Sequence, residues 1–238
     1  MMKIDVDYWT EVRQRIIEMR HIDCSCNMVF GSNSHKYKIN RCVSERRLRA
    51  FEVKNGVELP SEYRAFLTAF GAGGAGPDYG IYSFARIGSH SVRERFHLTE
   101  SCEWPEDDDD PIWDLPGLLP ISTSGCGIDW SIEINGPQPG TMWVDAGPGD
   151  QLMRCDSFGT WYSEWLARIE EGLRKYQLIA EMVFGGTTVE EISKAIDVEP
   201  YAIEDDGASY LRFQDVPGRI RTDGHRALSL EVGGCWIM

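Results

Sequence analysis

Between Arg95 and Arg154 this 238-residue chain has no lysine and no arginine, yet the same stretch holds 12 aspartates and glutamates. Such a surface repels phosphate backbones and anionic membranes, and it draws in basic partners. Long apolar runs are also missing. No stretch approaches the ~20 apolar residues that a membrane-crossing helix needs. Charges interrupt Met1–Trp9 and no apolar segment follows, so a cytoplasmic location without an export signal is expected. The seven cysteines are odd in number and irregular in spacing. That predicts free thiols rather than a disulfide framework.

Recognised catalytic and ligand-binding spacings are scarce as well. The segment from His21 to Cys42 holds His21, Cys24, Cys26, His35 and Cys42, all of them zinc-compatible side chains. However, Cys24-Ser25-Cys26 is too tight for the usual knuckle and no second cysteine pair follows, so packed or exposed thiols are the better reading. Gly71-Ala72-Gly73-Gly74-Ala75-Gly76 has the letters of a dinucleotide fingerprint, but a helix pattern precedes it where a strand is needed. Its glycines are expected to let the chain pass close over the sheet. Cys126, with His90 or His97 as base, is the best nucleophile candidate, and it lacks any family-specific local signature. The acidic run lacks the glycine and the closing glutamate of a calcium loop. Neither an enzyme nor a cofactor is expected.

What the chain does have is hydrophobic patterning. Hydrophobic residues make up 42%, an ordinary share for a folded protein of a size able to bury a real core. Trp9, Val12, Ile16 and Met19 recur on one side of a helix over Tyr8–Arg20. Ser44 is positioned to cap a second helix through Lys54, with Leu48 and Phe51 inward and Asn55-Gly56 ending it. Pro60 in a first turn opens a third, striped by Leu59, Tyr63, Phe66, Leu67 and Phe70 and stopped by Gly71. A strand is expected over Ile81–Phe84. Ile128, Trp130, Ile132 and Ile134 alternate with Asp129, Ser131 and Glu133, the period of a half-buried strand. Asn135-Gly136-Pro137 turns it, and Thr141–Val144 returns. Phe158, Trp161, Trp165, Ile169 and Leu173 then form the apolar face of a helix that runs to Phe184, where Gly185-Gly186 breaks it. Thr188-Val189-Glu190-Glu191 is a capping box, with Val189, Ile192 and Ile196 inward. Tyr201–Ile203, Tyr210–Phe213 and Ala227–Val232 read as short strands separated by turns.

The total charge of −14 is unevenly distributed. Residues 1–55 carry 11 Lys/Arg against 7 Asp/Glu, whereas Glu106, Asp107, Asp108, Asp109 and Asp110 form an unbroken acidic run with Asp114 close behind. Trp104, Ile112 and Trp113 are interleaved with it. The simplest reading of the run is a solvated loop that aids solubility. Core packing is the corresponding reading of the two tryptophans.

Several of these segments together carry a resemblance. Phe51-Glu52, Gly56-Val57-Glu58-Leu59-Pro60 with Tyr63 and Phe66-Leu67, then GAGGAGPDYGIYSF, are similar to the SUKH superfamily, which includes the yeast Smi/Knr cell-wall regulators and many bacterial proteins. LLPISTSGCGIDWSIEINGPQPGTMW and SFGTWYSEWL resemble the second half of the same family, and the likeness covers about residues 28–175. Phe70-Gly71 departs from the Asn-Gly pair of many members. The resemblance implies an α+β fold, a mostly antiparallel sheet packed by helices. The chain is expected to divide into a lead-in helix and loop (1–43), a SUKH-like domain (44–184) and, beyond the resemblance, a small helix-plus-strands extension (185–238).

For bacterial members the resemblance also implies a non-enzymatic immunity role, binding a cognate protein toxin, in some cases a nuclease. A regulatory or scaffold module acting on host proteins, as in the yeast members, is the alternative. Nucleases are often basic because they grip phosphate. Under the immunity reading, Trp104, Glu106, Asp107, Asp108, Asp109, Asp110, Trp113 and Asp114 are therefore the expected partner-binding residues. Carboxylates steer association and aromatic anchors supply buried area. No nucleic-acid or membrane partner is expected.

Overall fold

The computed structural model describes residues 3–87, 92–103, 115–146, 151–205, 208–222 and 225–231. They form an α+β fold with antiparallel sheets. Contacts group the chain into two compact units, Met1–Glu18 with Ser34–Trp165, and Met19–Asn33 with Leu166–Met238.

In the first unit, the Asp5 carboxylate accepts the N–H groups of Asp7 and Tyr8 at 3.1 and 3.2 Å, satisfying donors at the start of α1 (Val6–Ile22). The predicted stripe is real: Trp9, Val12 and Ile16 are fully buried. A four-residue turn of helix, α2 (Ser32–His35), interrupts what reads as a loop. α3 (Glu45–Asn55) buries Leu48 and Phe51 and ends at Gly56 in the left-handed conformation. Ser44 precedes it, but through its backbone rather than its side chain. Its carbonyl accepts from Arg47 and Leu48, and its hydroxyl makes no cap hydrogen bond. Pro60 stands one position earlier than expected, as the residue before α4 (Ser61–Ala65), which continues as a π-helical turn over Phe66–Phe70.

These aromatics make the first core. Trp9 meets Phe66 edge-on at 5.0 Å and Tyr162 at 5.1 Å, and Phe66 stacks on Phe70 at 4.7 Å. Edge-to-face and offset rings suit their quadrupoles and add to the burial itself. The polar ends are satisfied: Trp9 Nε1 donates to Glu62 O at 3.1 Å, and the Tyr162 hydroxyl donates to Ala75 O at 2.9 Å.

The sheet comprises β1 (Cys102–Glu103), β2 (Leu118–Gly125), β3 (Ile128–Glu133), β4 (Thr141–Asp145) and β5 (Gln151–Ser157), in the order β1-β5-β4-β3-β2. Every pairing is antiparallel. The expectation of a half-buried β3 fails. Asp129, Ser131 and Glu133, the residues expected to face solvent, are 6, 0 and 1% exposed, while Ile128 and Trp130 are only half-buried. Both faces are covered. Trp130 lies against Trp161 of α6 (Phe158–Phe184) at 5.1 Å. On the opposite face Ser131 pairs with Trp143, which joins Phe96, Leu118 and Leu152 in a second apolar cluster.

Ile81–Phe84 is not a strand. Ile81 makes one bridge to Gly74, and Phe84 already opens the short α5 (Phe84–Ile87). The glycines before it do allow a close passage, although the chain they clear is that of residues 38–40 and 81–82 rather than the sheet. A Cβ on Gly74 would stand 2.2 Å from Lys38 O, and one on Gly73 would stand 2.4 Å from Tyr82 O.

The second unit has its own core of Ile179, Ile192, Ile196, Phe213, Val216, Ile220 and Ala227. α7 (Val189–Ile196) carries the full capping box. The Thr188 hydroxyl accepts from Glu191 N, and the Glu191 carboxylate accepts from Thr188 N at 2.9 Å. A four-stranded sheet follows, β6 (Pro200–Asp205), β7 (Ala208–Phe213), β8 (Arg219–Thr222) and β9 (Ala227–Glu231), paired in that order. β8 is additional to the three expected strands. Its Arg-Ile-Arg-Thr lacks a run of large apolar residues, and the Arg219 guanidinium instead lies 3.9 Å from the Tyr210 ring centroid.

Candidate interaction surface

The acidic segment proposed from sequence as partner-binding, Trp104, Glu106 to Asp110, Trp113 and Asp114, lies outside the described residues, as does His90. Its flanks are described. Glu103 ends β1, and Leu115 packs against the Trp143 cluster.

The described residues bring together a different acidic group. Asp129 and Asp145 stand directly opposite each other on β3 and β4. They are 6 and 7% exposed. Thr123 of β2 is the register partner of Asp129 on the other side. Burial pushes the Asp129 carboxyl above its ordinary range and the charge of Asp145 adds to that, while the hydrogen bond from Thr123 works against both. Nearby, burial and then the charge of Asp129 raise the Tyr82 hydroxyl. The Arg86 guanidinium lies 4.6 Å from the Tyr82 ring centroid. Among the described residues Asp129 Oδ1 has no hydrogen-bond partner, and neither has the Ser131 hydroxyl two residues along the same strand face. Glu133, next on that face, differs. One carboxylate oxygen accepts from Gln138 N at 2.5 Å and the other from Trp143 Nε1 at 3.2 Å, so it holds the 134–140 turn.

Around the β2–β3 turn runs a second polar chain. Trp130 Nε1 donates to the Ser124 hydroxyl at 3.0 Å, and Ser124 donates to Asp78 at 2.5 Å. Tyr79 is 41% exposed and its ring closes over Gly125. Cys126 lies at the tip of that turn, exposed, with φ 53°. His97, one of the two bases expected for it, is exposed as well. The tight Gly125-Cys126-Gly127 reversal accounts for the position of Cys126.

In the Cys/His segment three of the five groups are engaged by neighbours. Arg20 donates to Cys26 Sγ at 3.5 Å, His35 Nδ1 accepts from Tyr37 N at 3.0 Å, and Cys42 approaches Ala69 O. No three potential metal ligands converge among the described residues. No described helix is long and apolar enough to cross a membrane.

Sequence patterning missed the Asp129–Asp145 pair because alternation alone assigns Asp129 to solvent. The available signal was Trp143, whose bulk on the strand paired with β3 places an apolar side chain on the face assigned to water. Residues 42–164 match the family model described as SMI1 / KNR4 family (SUKH-1). No curated protein and no solved structure gives a significant match.

Proposed function

We propose, from the premise that the chain belongs to the SMI1 / KNR4 family (SUKH-1), that it is an immunity protein that neutralises a cognate bacterial toxin by direct binding. Membership supports an immunity-like or Smi/Knr-type role, in a family that is generally non-catalytic. The family match over 42–164 carries the reading, and the charge pattern gives it a direction. A stretch of 12 acids without one Lys or Arg suits a toxin with a basic surface, such as a nuclease. Trp104, Glu106 to Asp110, Trp113 and Asp114 remain the proposed contact segment, acting in the cytoplasm. The regulatory reading draws on the same membership and predicts recovery of host proteins instead of a toxin.

The test is survival. The product of the adjacent open reading frame is expressed with and without this protein. Toxicity that this protein relieves is the expected result, with weaker rescue after Asp107 to Asp110 are changed to Asn. No toxicity, or no relief of it, would overturn the immunity reading and leave the regulatory one.

A further inference from the structure

α3 turns an apolar side inward and a side without acids outward. With about 3.6 residues per turn, the buried Leu48, Phe51 and Asn55 fall on one side of the helix, and Arg46, Arg49, Ala50 and Val53 fall on the other. All four outward residues are exposed, as are Arg47 and Lys54 beside them. The two acids of the helix do not offset this charge. Glu45 and Glu52 share one flank, and both pair with Arg64 of α4, Glu52 at 2.5 Å. A further cation sits at the C-terminal end, where the exposed Arg93 donates to Lys54 O through Nε at 3.0 Å and Nη2 at 2.6 Å. On this same face stands Val53, 83% exposed. A β-branched residue on the solvent side of a helix has lower helix propensity than alanine and gains nothing from burial. The fold therefore gives no reason for a valine there, with arginines one and two turns before it.

We infer that the outward face of α3 is a docking surface for an acidic segment of a partner protein. Carboxylates of that segment meet Arg46 and Arg49, and an apolar side chain covers Ala50 and Val53. A guanidinium binds a carboxylate through two parallel hydrogen bonds, and arginines about one turn apart present two such forks along a stripe of about 10 Å. Nucleic acid fits this face less well. Val53 offers it neither a hydrogen bond nor a stacking plane, and a polyphosphate must approach a molecule of net −14. The surface is opposite in sign to the stretch between Arg95 and Arg154, so it takes a different kind of partner. It goes beyond the toxin-binding reading and does not rest on it.

The test titrates the full chain at low salt with a synthetic helical peptide that carries Glu and Leu on one face. The amide resonances of Arg46, Arg49, Ala50 and Val53 are expected to shift together, and added salt is expected to weaken binding. Two variants, Arg46→Gln combined with Arg49→Gln, and Val53→Ser, are expected to stay folded because these side chains are exposed. Each is expected to weaken binding by about fivefold or more. A peptide with Gln in place of Glu is expected not to bind. Failure of the α3 resonances to move, equal binding of the Gln peptide, or undiminished binding in either variant would overturn the surface. A single-stranded oligonucleotide that moves the same resonances as tightly as the peptide would overturn the choice of a protein partner. Survival of toxin-expressing cells is a separate readout, so the two ideas fail separately.

Discussion

Tyr63 and Asp129 are two buried polar residues with opposite consequences. The Tyr63 hydroxyl is fully buried with no hydrogen-bond partner among the described residues, and burial raises its ionisation well above the normal phenol range. Its ring meets Phe158 edge-on at 5.1 Å, so the ring contributes and the oxygen does not. Tyr63→Phe is expected to be neutral or to stabilise by up to about 1 kcal/mol, because it removes an unpaired polar atom. Tyr63→Ala is expected to cost about 3–5 kcal/mol for the lost ring. Urea denaturation of both variants checks the pair. Asp129 sets a pH dependence. Its folded-state carboxyl holds a proton more tightly than the ordinary carboxylate does, so the folded state gains from protonation. That contribution is fully present below the ordinary carboxylate range and is lost as pH rises through the raised folded value. Asp129→Asn mimics the protonated form at every pH. Its Tm is expected to exceed wild type by a few degrees at pH 7, with the gap closing near pH 3. A gap that persists at pH 3 would place its cause elsewhere.

At the scale of elements, turns and caps account for much of the local geometry. Gly74 and Gly127 both have positive φ, 112° and 84°, but their surroundings differ. A Cβ at 74 would stand 2.2 Å from Lys38 O, whereas a Cβ at 127 would meet nothing within 4 Å. Gly127→Ala therefore carries only the backbone penalty of about 1–2 kcal/mol. Gly74→Ala adds a collision with backbone that has nowhere to move, and it is expected to leave little folded protein at 37 °C. Thermal melts of the two variants separate these costs. In the second unit, Thr188→Ala removes one half of the capping box and is expected to cost about 1 kcal/mol. Faster amide exchange at Ile192 and Ile196, with slower-exchanging amides of the first unit unchanged, is the local signature.

For the whole molecule the governing quantity is charge. With a net −14 and a stretch of 12 acids uncompensated by any Lys or Arg, the chain should meet a basic partner quickly at low salt. The association rate is expected to fall by about tenfold or more between 20 and 300 mM salt, with dissociation changing far less. Stopped-flow mixing with the toxin measures both. A rate indifferent to salt would mean that shape, not charge, selects the partner.

Helix periodicity was legible from local information, because one apolar face per helix is repeated every three or four residues and survives any arrangement of neighbours. Hence α1, α3, α6 and α7 and their inward residues were readable, as were the Thr188 cap and the family likeness. β3 was legible as a strand but not as to which of its faces is wet. A period of two shows that two faces differ, and only the layers packed on them decide which is buried. Trp130 has Trp161 on its side, while Ser131 has the Trp143 cluster on the other. That second layer includes Trp143 and Leu152, the register partners of Ser131 and Asp145, and Asp129 and Asp145 are buried on the same sheet. So the amino-acid order by itself determined the longer helices, the acidity and the family, but not the four-residue α2 and α5. The opposition of Asp129 and Asp145 across β3 and β4 was decided by register, which requires both strands in place.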